Sequence, residues 1–273
     1  MNPSSYFAFD DFARALENLQ NAFGNENDRY LMLTGETGVG KTWLCRQLNN
    51  ALDRCRHRVL YFSHARHLGA TALIRVLATL MRLPTRRSHS ETLQGLVTAL
   101  GEQPHQLLIW FDEAHELPDE TLLEAKALAE SDLYDSCPVR ILLIGLPLLR
   151  DRLQAIAPLW RRIVVREELT GLTFDELPSF IEHHFGTENL QRICQKGMHI
   201  LFERARGIPG LVVGAAKAVA RVRFGLEWSR LNQIERIGQF DVPMLLLQGT
   251  EDLKSSRDKR FLSGSSRASC ALS

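Results

Sequence analysis

Apolar positions along the chain switch between helical spacing and short continuous runs, and that switching predicts the elements. Between Phe7 and Phe23, the residues Phe9, Phe12, Leu16, Leu19 and Phe23 recur mostly three or four apart, which predicts an amphipathic helix. A polar turn over 25–28 leads into Tyr30–Leu33, a first buried strand. Leu44, Leu48 and Leu52 predict a helix, and Val59–Phe62, within Arg58–Ser63, predicts a second buried strand. Helices follow over about 70–81 and 91–101, separated by Pro84 and the pair Arg86-Arg87. Gln106–Phe111 is a continuous apolar strand ending in Asp112-Glu113. Next come a helix over about 119–133, a strand over 139–145, a short helix opening at Leu146–Arg150, and a last strand over 161–165. Strand and helix in alternation predict an α/β fold, a doubly wound parallel sheet with ligands at the carboxyl ends of its strands.

The strands stop at Thr173. Helices opening at Phe174–Leu177 and running over 190–206, 211–223 and 226–237 predict an all-helical lid, with the boundary near Gly171. Beyond about Gly249 the chain turns serine-rich and reads as a disordered tail. The expected organisation is therefore 1–171, 172–248 and 249–273.

Composition narrows this only slightly. At 273 residues, 45% hydrophobic and 24% charged, the chain can hold one large α/β domain and a smaller one. A net charge of +1 gives no global field toward nucleic acid, so any such surface must be local. Cys45, Cys55, Cys137, Cys194 and Cys270 lack C-x-x-C spacing, which argues against a disulfide framework or zinc site and fits a reducing cytoplasm. The histidines show no ligand spacing. Met1–Asp11 has no signal-peptide core, and no apolar run approaches the ~20 residues of a membrane span, so no membrane partner is expected.

Two motifs carry chemistry. Gly35-Glu36-Thr37-Gly38-Val39-Gly40-Lys41-Thr42 is G-x-x-x-x-G-K-T after a strand and opening a helix, the phosphate-binding P-loop. Its glycines let backbone N–H groups, those up to Thr42 and Trp43 included, turn inward at phosphate oxygens, with the helix N-terminus adding partial positive charge. Lys41 should reach the β- and γ-phosphates and the Thr42 hydroxyl should ligate Mg²⁺. The strand ending in Asp112-Glu113 is a Walker B pattern: Asp112 would hold Mg²⁺ through water, and Glu113 would activate the water attacking the γ-phosphate. ATP and Mg²⁺ are the expected ligands.

With these residues in place, the chain resembles AAA+ ATPases of the ExeA/TnsC type, which include the transposition helpers TnsC, TniB and, more distantly, MuB. The resemblance runs from about Phe7 to Ala220. It rests on the P-loop, Asp112-Glu113-Ala114-His115, Gly145–Arg150, Arg162-Ile163, Leu169–Leu172 and Gly207-Ile208-Pro209. It implies an ATP-dependent homo-oligomer, ring or filament, with active sites between subunits. Arg161 or Arg162 would then be the arginine finger reaching a neighbour's γ-phosphate. It further implies binding of duplex DNA and recruitment or activation of a transposase. An ExeA-like secretion-assembly ATPase and an ATP-dependent docking switch without DNA are the alternatives.

Two departures from that family stand out. Gly210 occupies the position of the lid arginine, and Arg206 and Lys217 are the candidate substitutes, each at a different spacing. The segment Gly145-Leu146 offers no polar side chain to grip the attacking water. Both gaps point to slow hydrolysis, stimulated by oligomerisation or DNA. His115, just after the Walker B acids, could sense nucleotide state. Residues 201–236 hold seven basic side chains against three acidic ones, with Lys217 and Arg221 sharing a helix face. Arg82, Arg86 and Arg87 form a second basic cluster, in a region resembling the DNA-facing part of TnsC-type rings. Either cluster reads as a phosphate-contacting surface or as a solvated basic face.

Overall fold

Five of the apolar runs become the strands of one parallel sheet. The computed structural model describes residues 7–25, 28–63, 66, 68–84, 88–103, 105–130, 139–191 and 193–215. The strands are β1 (Tyr30–Gly35), β2 (His57–Phe62), β3 (Gln106–Phe111), β4 (Val139–Gly145) and β5 (Ile163–Leu169), in the order β2-β3-β4-β1-β5. All four pairings are parallel, with Tyr61 beside Trp110, Trp110 beside Leu142, and Leu31 beside both Leu142 and Val165. α1 (Asp10–Gly24) precedes the first strand; parallel neighbours need crossovers, and the helices α2 (Lys41–Ala51), α3 (Ala70–Leu80), α4 (His89–Gly101), α5 (Asp119–Ala129), α6 (Leu148–Ala155) and α7 (Ala157–Trp160) supply them.

The three central strands, β1, β3 and β4, are buried almost end to end, as their unbroken apolar lettering requires when both faces of a sheet are covered. Tyr30, Met32, Ile109, Phe111, Ile141 and Leu143 turn one way, into a core with Leu73 and Leu77 of α3, Leu96 of α4 and Leu122 and Leu128 of α5. On the opposite face Trp110 stacks on Phe23 of α1, ring centroids 6.2 Å apart. Arg140, only 2% exposed, donates from Nη1 to the carbonyls of Ala22 (3.0 Å) and Phe23 (2.8 Å). It thus satisfies the Phe23 carbonyl at the end of α1 and adds a second donor to that of Ala22, which also accepts from the Asn25 N–H at 3.1 Å. At the other end of α1, Asp11 accepts from both the backbone and hydroxyl of Thr170, each at 2.7 Å, tying the helix to the end of β5.

Several sequence expectations are corrected. The second strand is an edge strand rather than a buried one, and Tyr61 is 40% exposed. The last strand extends to Leu169, past the expected Val165. In the helical part, Thr173 donates from its backbone and hydroxyl to Glu176, closing a turn, so α8 spans Leu177–Phe185 and does not open at Phe174. The single helix expected over 190–206 is two, α9 (Thr187–Gln191) and α10 (Gln195–Ala205), with Cys194 extended between them. Residues 209–215 are helical, while the continuation to 223, the helix over 226–237 and the tail lie outside the described residues, as does the end of α5 beyond Glu130.

Contacts gather the described residues into two units, Asp10–Thr170 around the sheet, and residues 7–9 with 171–215. In the second unit Leu177, Phe180, Ile181, Met198, Leu201 and Val212 are buried, and Phe7 packs edge-on against Phe180 at 5.6 Å. Gly171 and Gly207 both have positive φ, 109° and 70°, and the Leu172 N–H donates to the Gly207 carbonyl at 2.7 Å. From the sequence, His183-His184 on a helix reads as one outward and one half-buried ring. Both residues are exposed overall, although the His184 ring lies 4.4 Å from Phe180 and 5.0 Å from His183.

Candidate nucleotide site

The strand order decides what meets at the carboxyl edge. β4 lies between β1 and β3, so the ends carrying Gly35 and Asp112 are two strand spacings apart, about 10 Å. That gap suits a phosphate chain and a cation lying across the end of β4.

Gly38 (φ 89°) and Gly40 (φ 114°) occupy the left-handed region, so the loop curls as its glycines predict. Gly40 is the N-cap of α2, without a side-chain cap bond, which leaves the helix N-terminus to its backbone N–H groups. Gly35 is fixed by space: a Cβ there would meet the Leu169 carbonyl oxygen at 2.6 Å. Val39 is fully buried, while Glu36, Thr37, Gly38 and Thr42 face solvent. The Lys41 ammonium folds over its own loop, donating to the carbonyls of Gly35 (2.6 Å) and Glu36 (3.0 Å). Burial lowers its pKa, against the pull of Glu113, Asp112, Glu36 and Cys45. Trp43 is 41% exposed, with the Arg46 guanidinium 5.4 Å from its ring centroid.

Asp112 sits at the tip of β3, its own N–H donating to the Phe62 carbonyl of β2 at 2.9 Å. One carboxylate oxygen accepts from the Glu113 N–H at 2.9 Å and the other from the Tyr61 hydroxyl. Tyr61 was not singled out from the sequence. Burial and then this bond push its phenol well above the usual range. Cys45 of α2 is buried close by and its thiol is pushed up to about 12 by burial, then by Asp112, so it is inert. Glu113 has φ 52°, a left-handed position, and opens a 3₁₀ turn over Ala114–Glu116. That turn brings His115 back over the end of β4. Its Nε2 lies 3.4 Å from the Glu113 carboxylate, and its Nδ1 accepts from the Leu146 N–H at 3.5 Å. The end of β4 therefore does have a polar side chain beside it, supplied by His115 from another element.

The other expected residues are spread more widely. Arg162 pairs with Glu130 at the end of α5 (3.3 Å), which also holds Lys126. Arg161 is exposed and makes no ion pair among the described residues. Arg82 is exposed in a left-handed turn after α3, φ 57°. Arg206 caps α10 with φ 50°, and Gly210 is exposed. Arg86, Arg87, Lys217 and Arg221 lie outside the described residues. Among the described residues no three His, Cys, Asp or Glu side chains gather as a metal site, and no helix is long and apolar enough to cross a membrane.

The family described as AAA domain matches residues 25–153, the segment from β1 through most of α6. Solved structures of similar fold cover most of the chain. Cdc6p of Pyrobaculum aerophilum aligns with a TM-score of 0.61 at 19% identity, covering 82% of this chain and 65% of its own. The ORC2 protein of Aeropyrum pernix, solved as ADPNP–ADP complexes, aligns at 0.58 and 14% identity, covering 90% and 70%. The ORC1 protein of the same organism, in complex with DNA, aligns at 0.55 and 15%, covering 92% and 64%. The fold is that of an AAA+ P-loop NTPase. No curated protein sequence matches the chain. The chain thus spans about two thirds of the length of these AAA+ structures, and at such identity the likeness is one of fold.

Proposed function

We propose that this protein is an ATP-hydrolysing AAA+ ATPase that assembles with copies of itself on duplex DNA and recruits or activates a transposase. One observation carries the ATPase reading: a positive-φ glycine loop, the Lys41 ammonium and the Asp112-Glu113 pair share one sheet edge, close enough that both acids act on Lys41. In this reading the loop N–H groups from Gly38 to Trp43 hold the phosphates, and Lys41 exchanges its two carbonyl partners for phosphate oxygens. Thr42 and Asp112 offer the oxygen donors that a hard divalent cation takes together with substrate phosphates, so the donor set fits Mg²⁺. Mg²⁺, when bound, would neutralise charge on the β- and γ-phosphates. Glu113 takes the proton of the attacking water.

Arg161 is the better finger for a second copy, because Arg162 is already engaged by Glu130 within its own chain. A cation supplied in trans would couple hydrolysis to assembly. The DNA part is supported by the basic excess over 201–236, by exposed Arg82, and by the fold shared with the DNA-bound ORC1 protein. The transposase part rests on the ordered set of motifs shared with TnsC-type helpers.

The test is ATP turnover with and without duplex DNA at low and moderate salt, with Glu113→Gln alongside. DNA should raise turnover several-fold, the rise should fade with salt as phosphate contacts are screened, and Glu113→Gln should lose roughly 100-fold or more. Turnover indifferent to DNA would remove the DNA and transposition reading. Unchanged turnover in Glu113→Gln would remove the catalytic one.

A further inference from the structure

We infer that His115 is the positioning residue for Glu113, bridging the end of β4 to the carboxylate that activates water. The inference rests on the catalytic reading of Glu113 given above and adds the group that orients it. The His115 side chain is only 10% exposed, so its ring has a defined seat. Gly145 makes that seat. A Cβ there would stand 3.2 Å from His115 Nδ1 and 3.0 Å from Leu149 Cδ2, so any larger residue would press on the ring.

The contacts around the ring assign its tautomer. A backbone N–H can only donate, so Nδ1, which receives Leu146 at 3.5 Å, must carry a lone pair. The proton of the neutral ring is then on Nε2, facing Glu113 Oε2 at 3.4 Å. Both contacts are slightly longer than full hydrogen bonds, and small rotations of the His115 and Glu113 side chains close them.

The backbone beneath both side chains is held independently. Arg152 of α6 donates to the His115 carbonyl at 2.8 Å while also binding Asp119, and Arg66 pairs with Glu116. The turn closes on itself through Glu116 N–H to the Glu113 carbonyl at 2.8 Å. Against this fixed frame, Nε2–H directs one oxygen of Glu113 and leaves the other to accept the proton of water. The polar group that Gly145-Leu146 lacks is thereby supplied from β3's side of the site.

Two measurements on the full-length protein test this. In ATP turnover, His115→Ala should lower kcat about 10- to 100-fold with KM for ATP held within about twofold, since misplacing a reacting group costs on that order. His115→Gln, whose amide nitrogen falls near the place of Nε2, should recover most of the loss. Unchanged kcat in His115→Ala, or a loss that Gln does not recover, would overturn the inference. In ¹⁵N-detected NMR of the histidine rings, His115 should show the Nε2–H tautomer, and its Nε2 signal should move in Glu113→Gln. An Nδ1–H ring, or no response to Glu113→Gln, would also overturn it. Full turnover by Glu113→Gln would instead sink the catalytic role of Glu113 while leaving the ring tautomer to be read on its own.

Discussion

Arg140 shows how a single charged side chain can be worth keeping inside a sheet. Its guanidinium is buried, yet it donates to two main-chain carbonyls at the end of α1 that have fixed positions. Replacing a buried ion by an apolar residue can be neutral when its charged partner is replaced as well. Here the partners are backbone oxygens and remain: the Ala22 carbonyl keeps the Asn25 N–H at 3.1 Å, but the Phe23 carbonyl loses its donor, so Arg140→Met should cost about 1–3 kcal/mol. Thermal unfolding of the sheet unit should then fall by roughly 2–4 °C for each kcal/mol lost. An unchanged midpoint would mean that water or another donor reaches the Phe23 carbonyl, and the anchoring role would be lost. At the same scale, Asp112 and Tyr61 differ in how visible they are. Asp112 is marked by its place after an apolar run, whereas Tyr61 reaches it only because β2 and β3 pair in register, Phe62 beside Phe111.

At the scale of elements, what could be read in advance follows from how local the cause is. β1, β3 and β4 are legible because strands covered on both faces must be apolar throughout. The four apolar letters of Val59–Phe62 look the same, but whether a strand is central or at an edge depends on partners elsewhere in the chain. The break between α9 and α10 escaped notice because Cys194 is neither Gly nor Pro, so the usual punctuation is missing. His115 as part of the β4 end was hidden for a similar reason: it contacts Leu146 across 31 positions of sequence. The clue available was an absence, the missing side chain of Gly145. Gly207, by contrast, is visible as part of Gly207-Ile208-Pro209, and the structure gives its physical reason. A Cβ at Gly207 would collide with the Leu172 carbonyl oxygen, and φ is 70°. Gly207→Ala should therefore weaken the helical unit by at least about 1–2 kcal/mol from the left-handed backbone alone. Hydrogen exchange in α8 and α10 should rise while exchange in β1 and β4 is unchanged. Equal exchange in the variant would show that the Leu172 turn yields without cost.

At the scale of the whole molecule, the motif residues with phosphate chemistry all fall within Asp10–Thr170, and the helical unit is a separate body of contacts. Ligand binding to the first unit must stabilise it by mass action, whatever hydrolysis follows. With ATP and Mg²⁺ at about a hundred times the dissociation constant, the gain is about 2.7 kcal/mol. For a unit of this size that is a rise of roughly 5–10 °C in its midpoint. Lys41→Ala should abolish most of the rise. Glu113→Gln should retain it, because in the proposed mechanism Glu113 acts on water and does not hold the phosphates. This pair of variants separates binding from chemistry without any assay of turnover. A rise that survives Lys41→Ala would mean that the nucleotide is held somewhere other than the glycine loop, and the arrangement built on Gly38, Gly40 and Lys41 would have to be given up as its binding site.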